Sequence, residues 1–167
     1  MTAVLIAGSP GSGKTTVSQL LKERLDNAPL IDFGTLREFH LKPDWSNQSP
    51  EEEKMAFENL LSLLGNYEKY GYTYVIVNDL KDERVQSFPT VFTGSVKIFT
   101  LTVDDKILRQ RIEDPNRNSG FKEVEAAMKW NKQVKERGTV QNEYKIDNSH
   151  SDPRKTVEVI LEKLNEN

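Results

Sequence analysis

Apolar segments alternate with helix-period segments along the whole chain. Thr2 to Ala7 (TAVLIA) is a continuous apolar run of strand length, followed by a glycine-rich stretch. Lys14 to Asp26 places Val17, Leu20, Leu21 and Leu25 on one helical face. Pro29 to Asp32 (PLID) predicts a short second strand. Ser49-Pro50-Glu51-Glu52 carries the marks of a helix start: a serine cap, proline at the first helical position and an acid three residues after the cap. That helix is predicted to run to about Tyr70, with Leu60, Leu61, Leu64 and Tyr67 inward, and to stop at Gly71.

Tyr72 to Val77 (YTYVIV) is unbroken in β-forming residues, which predicts a third strand in the interior of a sheet. Val96 to Val103 (VKIFTLTV) predicts a fourth. Asp104 or Asp105 is predicted to cap a short helix through about Ile112, and Asp114 to Gly120 (DPNRNSG) reads as a turn-rich loop. Phe121 to Arg137 reads as a polar helix, and Tyr144 to Ile146 as a fifth, short strand. Ser151-Asp152-Pro153 opens a last helix, with Val157, Ile160, Leu161 and Leu164 spaced i, i+3, i+4, i+7. Strands that alternate with helices pair in parallel through right-handed crossovers. The predicted architecture is an α/β three-layer sandwich: about five parallel strands with helices on both faces. A chain of 167 residues suits one domain, here 1–167.

Composition removes several function classes. No apolar run approaches the roughly 18 residues of a membrane span, and the N-terminus lacks a signal-peptide pattern. A net charge of −3 argues against binding long nucleic acid by charge. The chain has no cysteine, which excludes disulfides, thiol catalysis and cysteine-ligated zinc. With two histidines, His40 and His150, a multi-histidine metal site is not expected. The expectation is a soluble cytoplasmic protein of undetermined oligomeric state.

Gly8-Ser9-Pro10-Gly11-Ser12-Gly13-Lys14-Thr15 matches G-x-x-x-x-G-K-[ST] in full, between an apolar strand and a helix. Glycines let the backbone turn tightly and aim several N–H groups at one phosphate oxygen, and the helix N-terminus adds partial positive charge. Lys14 can reach the β- and γ-phosphates of ATP, and the Thr15 hydroxyl can ligate Mg²⁺. The cofactor-binding segment is drawn from Gly8 through Thr16.

On these residues the chain resembles the small P-loop kinases of the nucleoside-monophosphate, shikimate and gluconate kinase type. More loosely it is similar to chloramphenicol phosphotransferase and to small bacterial proteins labelled AAA family ATPase. The resemblance runs from Thr2 to Leu164. It implies strand order 2-3-1-4-5 and transfer of the γ-phosphate of ATP to a small acceptor such as a nucleotide or a sugar acid. The alternative is a nucleotide-binding regulatory protein or slow ATPase without an acceptor.

The resemblance also assigns roles. Asp32, at the end of the second strand, matches the aspartate that takes or orients the acceptor hydroxyl's proton; it can equally serve as a helix or turn cap. Arg37, in Phe33-Gly34-Thr35-Leu36-Arg37, matches the arginine that holds an acceptor phosphate, although Thr35 replaces the usual aspartate. His40 and Trp45 lie where such kinases carry an acceptor-binding segment. The third strand ends Val77-Asn78-Asp79. Asp79 is the chemical candidate for a Walker B acid holding Mg²⁺, whereas strand counting places the family acid at Asn78.

Asp104 to Gly120 resembles the lid of the fold, at about residues 105–120. At about 100° per residue, Arg111 falls on the apolar side of its helix with Ile107, Leu108 and Ile112, and Arg109 on the watery side. An inward arginine needs an anionic partner, either a triphosphate or an internal carboxylate. Arg117 lies in the loop, where closure would bring it onto the transferring phosphoryl group. Trp130 reads as packing. Tyr144-Lys145-Ile146-Asp147-Asn148-Ser149 resembles the strand end that passes the adenine ring, with Asp147 or Asn148 as a base contact or a simple turn.

Overall fold

The apolar periodicities become five strands and seven helices in the computed structural model, which describes residues 1–39, 49–117, 119–150 and 152–166. In chain order these are β1 (Thr2–Gly8), α1 (Lys14–Arg24), β2 (Leu30–Asp32), α2 (Phe33–Glu38), α3 (Pro50–Lys69), β3 (Tyr74–Asn78), α4 (Asp82–Val91), β4 (Ser95–Thr102), α5 (Asp105–Glu113), α6 (Val124–Glu136), β5 (Glu143–Asp147) and α7 (Pro153–Asn165). The strands pair in parallel in the order β2-β3-β1-β4-β5, the predicted doubly covered α/β sandwich.

Alternation along β1 divides the core in two. Ala3, Leu5 and Ala7 face α3 and α4 through Phe57, Leu60, Leu64, Val85 and Phe88. Val4 and Ile6 face α1 and α7 through Val17, Leu21, Val157 and Ile160. A third, smaller cluster joins Val103 to Leu108, Ile112 and Ala127 of α5 and α6. Among the described residues no helix is long and apolar enough to cross a membrane.

The helix starts follow their caps. Ser49 accepts from the Glu52 amide at 3.4 Å with Pro50 at the first position, and Asp104 accepts from the amides of Lys106 and Ile107. Gly71, at φ 79°, ends the α3 segment with its amide on the Glu68 carbonyl.

Three elements differ from the expectation. α2 is a short helix that no apolar period marks in the sequence; Asp32 caps it by accepting from the Thr35 amide at 3.0 Å. α4 places Val85 and Phe88 on the core, with Pro89 inside the helix hiding the period. α6 begins at Val124 rather than Phe121: the Phe121 carbonyl accepts from Arg117 Nη1 at 2.7 Å instead of from a helical amide. Trp130 is half-buried, while its neighbour Asn131 is fully buried. The Asn131 amide accepts from the Val103 N–H at 3.1 Å and donates to the Val103 carbonyl at 2.7 Å, which clamps α6 to the end of β4.

A polar knot closes the far side of the sheet. Arg137, after α6, forks between Asp82 at the start of α4 and Glu143 at the start of β5, and Thr100 donates to the same Glu143. Burial pushes the Glu143 carboxyl up, but its hydrogen bonds from Arg137, Thr100 and the Val140 amide more than offset this and hold it below the usual range. The Arg137 and Glu143 side chains are 14% and 0% exposed, so removing the arginine strands a buried carboxylate. Arg137→Ala is expected to lower unfolding stability by about 3–5 kcal/mol in urea titration. Arg109→Ala, at an exposed pair, should cost no more than about 1 kcal/mol; equal losses would contradict the account of the knot.

Candidate functional site

Register carries the site to one sheet edge. Asp32 pairs with Asn78, and Asn78 pairs with Ile6 two residues before Gly8. The ends of β2 and β3 therefore flank the glycine-rich loop that leaves β1, while β4 and β5 deliver Val103 and Asn148 on the other flank. Between the flanks opens a cleft of about 830 Å³.

The loop is shaped by its glycines. Gly8, Gly11 and Gly13 have φ of 133°, 82° and 96°. A Cβ on Gly8 would meet the Leu101 carbonyl at 2.5 Å, one on Gly11 would meet Ile112 and Leu108 of α5 at 2.7 and 2.9 Å, and one on Gly13 would meet the Asn148 amide at 2.6 Å. Ser9 and Ser12 are fully buried behind the cleft wall, which Pro10, Gly11, Gly13, Lys14, Thr15 and Thr16 form.

Lys14 reaches across the cleft with only 10% of its side chain exposed. Its ammonium donates to the Ser9 carbonyl at 3.2 Å and lies 3.7 Å from Asp79 Oδ1. Burial lowers the Lys14 pKa from its ordinary value, against the pull of Asp79 and Asp32. Burial likewise raises that of Asp79, and Asp32 adds to the rise while Lys14 opposes it. Asp79 has φ 62°, a left-handed conformation uncommon outside glycine. The strand has ended one residue earlier, so Asn78 stays buried in the sheet and Asp79 turns into the cleft. Asp32 stands beside it. A Cβ on Gly34 would lie 3.0 Å from Asp32 Oδ1 and 2.9 Å from Asp79 Oδ2, so Gly34 keeps open the gap between the two carboxylates.

The other flank holds arginines. Arg111 turns inward as its helix angle predicts, but its partners are neutral: it donates to the carbonyls of Asn148 at 2.8 Å and His150 at 3.2 Å. Burial lowers its pKa, and Asp147 partly compensates. Arg109 turns to water and pairs with Glu125 at 2.7 Å and Glu113 at 3.6 Å. Arg117 lines the cleft, tied to the Phe121 carbonyl, with its pKa also lowered by burial.

Of the remaining expected site residues, Arg37 is half-buried on α2 and does not line the cleft. Asp147 is exposed, and its carboxylate accepts from the amide and hydroxyl of Ser149 in a turn. His40 and Trp45 lie outside the described residues. Asn148 and His150 do line the cleft, and they are joined through Thr156. Thr156 donates its one proton to Asn148 Oδ1 at 2.6 Å, so His150 Nε2 is the donor in the 3.2 Å contact to Thr156. Sequence patterning does not single out His150, because nothing local distinguishes a histidine in a turn from one in a cleft.

The donor set fits a nucleotide better than a bare metal ion. Among the described residues no group of three His, Cys, Asp or Glu is placed to hold a metal by itself. Mg²⁺ ordinarily needs only one or two protein oxygens when phosphates and waters supply the rest, and Thr15 and Asp79 can offer those two.

A family model described as AAA domain matches residues 4–131. No curated protein matches the chain at a significant level. Solved structures do. A sugar kinase from Janibacter sp. HTCC2649 superposes with a TM-score of 0.71 at 13% identity, covering 99% of this chain and 95% of that one. A gluconokinase from Sinorhizobium meliloti 1021 gives 0.70 at 17% identity, covering 98% and 91%. A shikimate kinase from Bacteroides thetaiotaomicron gives 0.62 at 17%, covering 98% of each.

The burial of Lys14 beside a cleft yields a direct test. Lys14→Ala is expected to abolish detectable nucleotide binding in calorimetry while leaving the melting temperature unchanged or higher, since a desolvated ammonium is removed. Unaltered nucleotide affinity in this variant would exclude the loop as the binding site.

Proposed function

The chain belongs to the AAA domain family and has the fold of the small P-loop kinases, and from that premise we propose that it is an ATP-dependent phosphotransferase acting on a hydroxyl of a small acceptor. The observation that carries this reading is the placement of Lys14, Asp79 and Asp32 at one end of the cleft, with the glycine-rich loop as its floor. A nucleotide-binding protein without chemistry needs the loop and the lysine. It does not need a second carboxylate held across a gap from the first.

In the proposed reaction Lys14 and the amides of the loop hold the β- and γ-phosphates of ATP. Thr15 and Asp79 would hold Mg²⁺, which when bound supplies neutralisation of phosphate charge. Asp32 accepts the proton of the acceptor hydroxyl as its oxygen attacks the γ-phosphorus; the bond from that phosphorus to the β-bridging oxygen breaks, and ADP departs. Asp32 Oδ1 already caps α2, which fixes the carboxyl's orientation before the acceptor arrives. Arg117 and Arg111 lie on the nucleotide's side of the cleft, and burial makes an anion there the partner that best restores their hydration loss.

Two tests bear on this. ADP release is measured over a panel of sugars, sugar acids, nucleosides and nucleoside monophosphates; acceptor-dependent release is expected, and acceptor-independent release alone would favour a plain ATPase. With the acceptor so found, Asp32→Asn should lower kcat by about 10²–10⁴ while ATP affinity and melting temperature hold, because asparagine caps helices as well as aspartate. Arg117→Ala should lower kcat about 10²–10³-fold and weaken ATP binding less, whereas Arg109→Ala should change neither; the reverse ranking would remove Arg117 from the reaction.

A further inference from the structure

We propose that Asn148 is a positioning residue for phosphate binding: its side-chain amide fixes the Ser12–Gly13 peptide so that the Gly13 N–H faces the phosphate. The inference rests on the reading of the loop as a nucleotide site, and it assigns a role to a residue 136 positions away in the chain.

The orientation of the Asn148 amide is unambiguous. The Ser12 carbonyl can only accept, so the atom 2.7 Å from it is the nitrogen. The oxygen then faces Thr156, whose hydroxyl donates to it at 2.6 Å. Asn148 is 3% exposed and Thr156 0%, so neither contact is readily exchanged for water. The backbone carbonyl of the same asparagine accepts from Arg111. One buried residue is thereby tied by its side chain to the loop and to α7, and by its backbone to the arginine of α5.

A trans peptide points its C=O and its N–H in opposite directions, and no described peptide bond is cis. With the Ser12 carbonyl held on the Asn148 side, the Gly13 amide hydrogen points away from Asn148. Gly13 itself forms part of the cleft wall. If this peptide turned over, a carbonyl dipole would replace a donor at the anion site, and the loop would repel what it now attracts. Glycine removes the steric barrier to such a turn, so the constraint has to come from outside the loop. Gly13 also admits the clamp, because a Cβ there would stand 2.6 Å from the Asn148 nitrogen.

The test uses N148D, which is close to isosteric, and N148A, with Mg-ATP, inorganic tripolyphosphate and adenosine as probes in calorimetry. The N148D carboxylate cannot donate to Ser12 and repels its carbonyl. At pH 8 the affinity for Mg-ATP and tripolyphosphate is expected to fall in the order wild type, N148A, N148D, with N148D weakened about ten- to hundredfold and adenosine binding unchanged. A side chain that merely fills space predicts the opposite order, since aspartate preserves the shape and alanine does not. Between pH 8 and pH 5.5 the buried N148D carboxyl takes up a proton and regains a donor, so its affinity relative to wild type should recover, while N148A shows no such trend. Melting temperatures confirm folding, and should N148D fail to fold, the loss on tripolyphosphate but not adenosine in N148A decides. Wild-type binding with N148D and N148A equal to it, or losses shared by adenosine, would overturn the proposal alone. Absence of Mg-ATP and tripolyphosphate binding by the wild type would overturn the nucleotide-site reading with it.

Discussion

A loop that is to hold an anion must leave its own amide hydrogens unpaired, so its shape has to be maintained by other parts of the molecule. That constraint organises this protein. Gly8 is pressed beneath the Leu101 carbonyl of the neighbouring strand, Gly11 beneath Ile112 and Leu108, and Gly13 against Asn148. The Ser9 and Ser12 carbonyls accept from Lys14 and Asn148, which fixes two of the loop's peptides from side chains. The parallel sheet makes this possible, because β1, β4 and β5 lie side by side and bring Leu101, α5 and Asn148 against one loop.

The same constraint explains the charge pattern. Lys14 is desolvated, and it is balanced by Asp79 and Asp32 rather than by a single tight ion pair; the nearest approach is 3.7 Å. A loose arrangement of this kind can be rearranged by a ligand at little cost, whereas the fork of Arg137 on Asp82 and Glu143, with contacts of 2.7 to 3.1 Å, cannot. A firm fork thus holds the start of β5, and a loose pair lies in the cleft.

What could be read in the sequence were features written locally. The apolar period of each long helix, the strand of Tyr74–Asn78, the Ser49 cap and the inward turn of Arg111 all follow from neighbours a few residues apart. Which of Asn78 and Asp79 turns into the cleft does not, because it depends on where the strand stops and on a single positive φ. Asp32 has two readings in the sequence, cap and carboxylate facing an acceptor; the structure shows the cap, on a residue that also lines the cleft. An inward cation in isolation is costly, so the sequence points to an anionic partner for Arg111. Two carbonyls at the ends of a distant strand and turn serve instead. Asn148 was visible as a polar residue in a turn, but its contact with Ser12 exists only after the sheet has assembled.

Under the proposed reaction, Gly34 bears on acceptor choice in a way that differs from any charged residue. It has no unusual backbone angle, so what matters is the missing side chain: a single methyl there would stand 3.0 Å or less from both cleft carboxylates. The gap between these two carboxylates is therefore kept by one hydrogen atom in place of a carbon. Enlarging that position would force one or both carboxylates to shift, and in the proposed reaction that narrows the room for an acceptor, where a methylene's worth of fit discriminates between ligands by about 1–3 kcal/mol. If the proposed reaction holds, residue 34 is a gauge of acceptor size that carries no charge of its own.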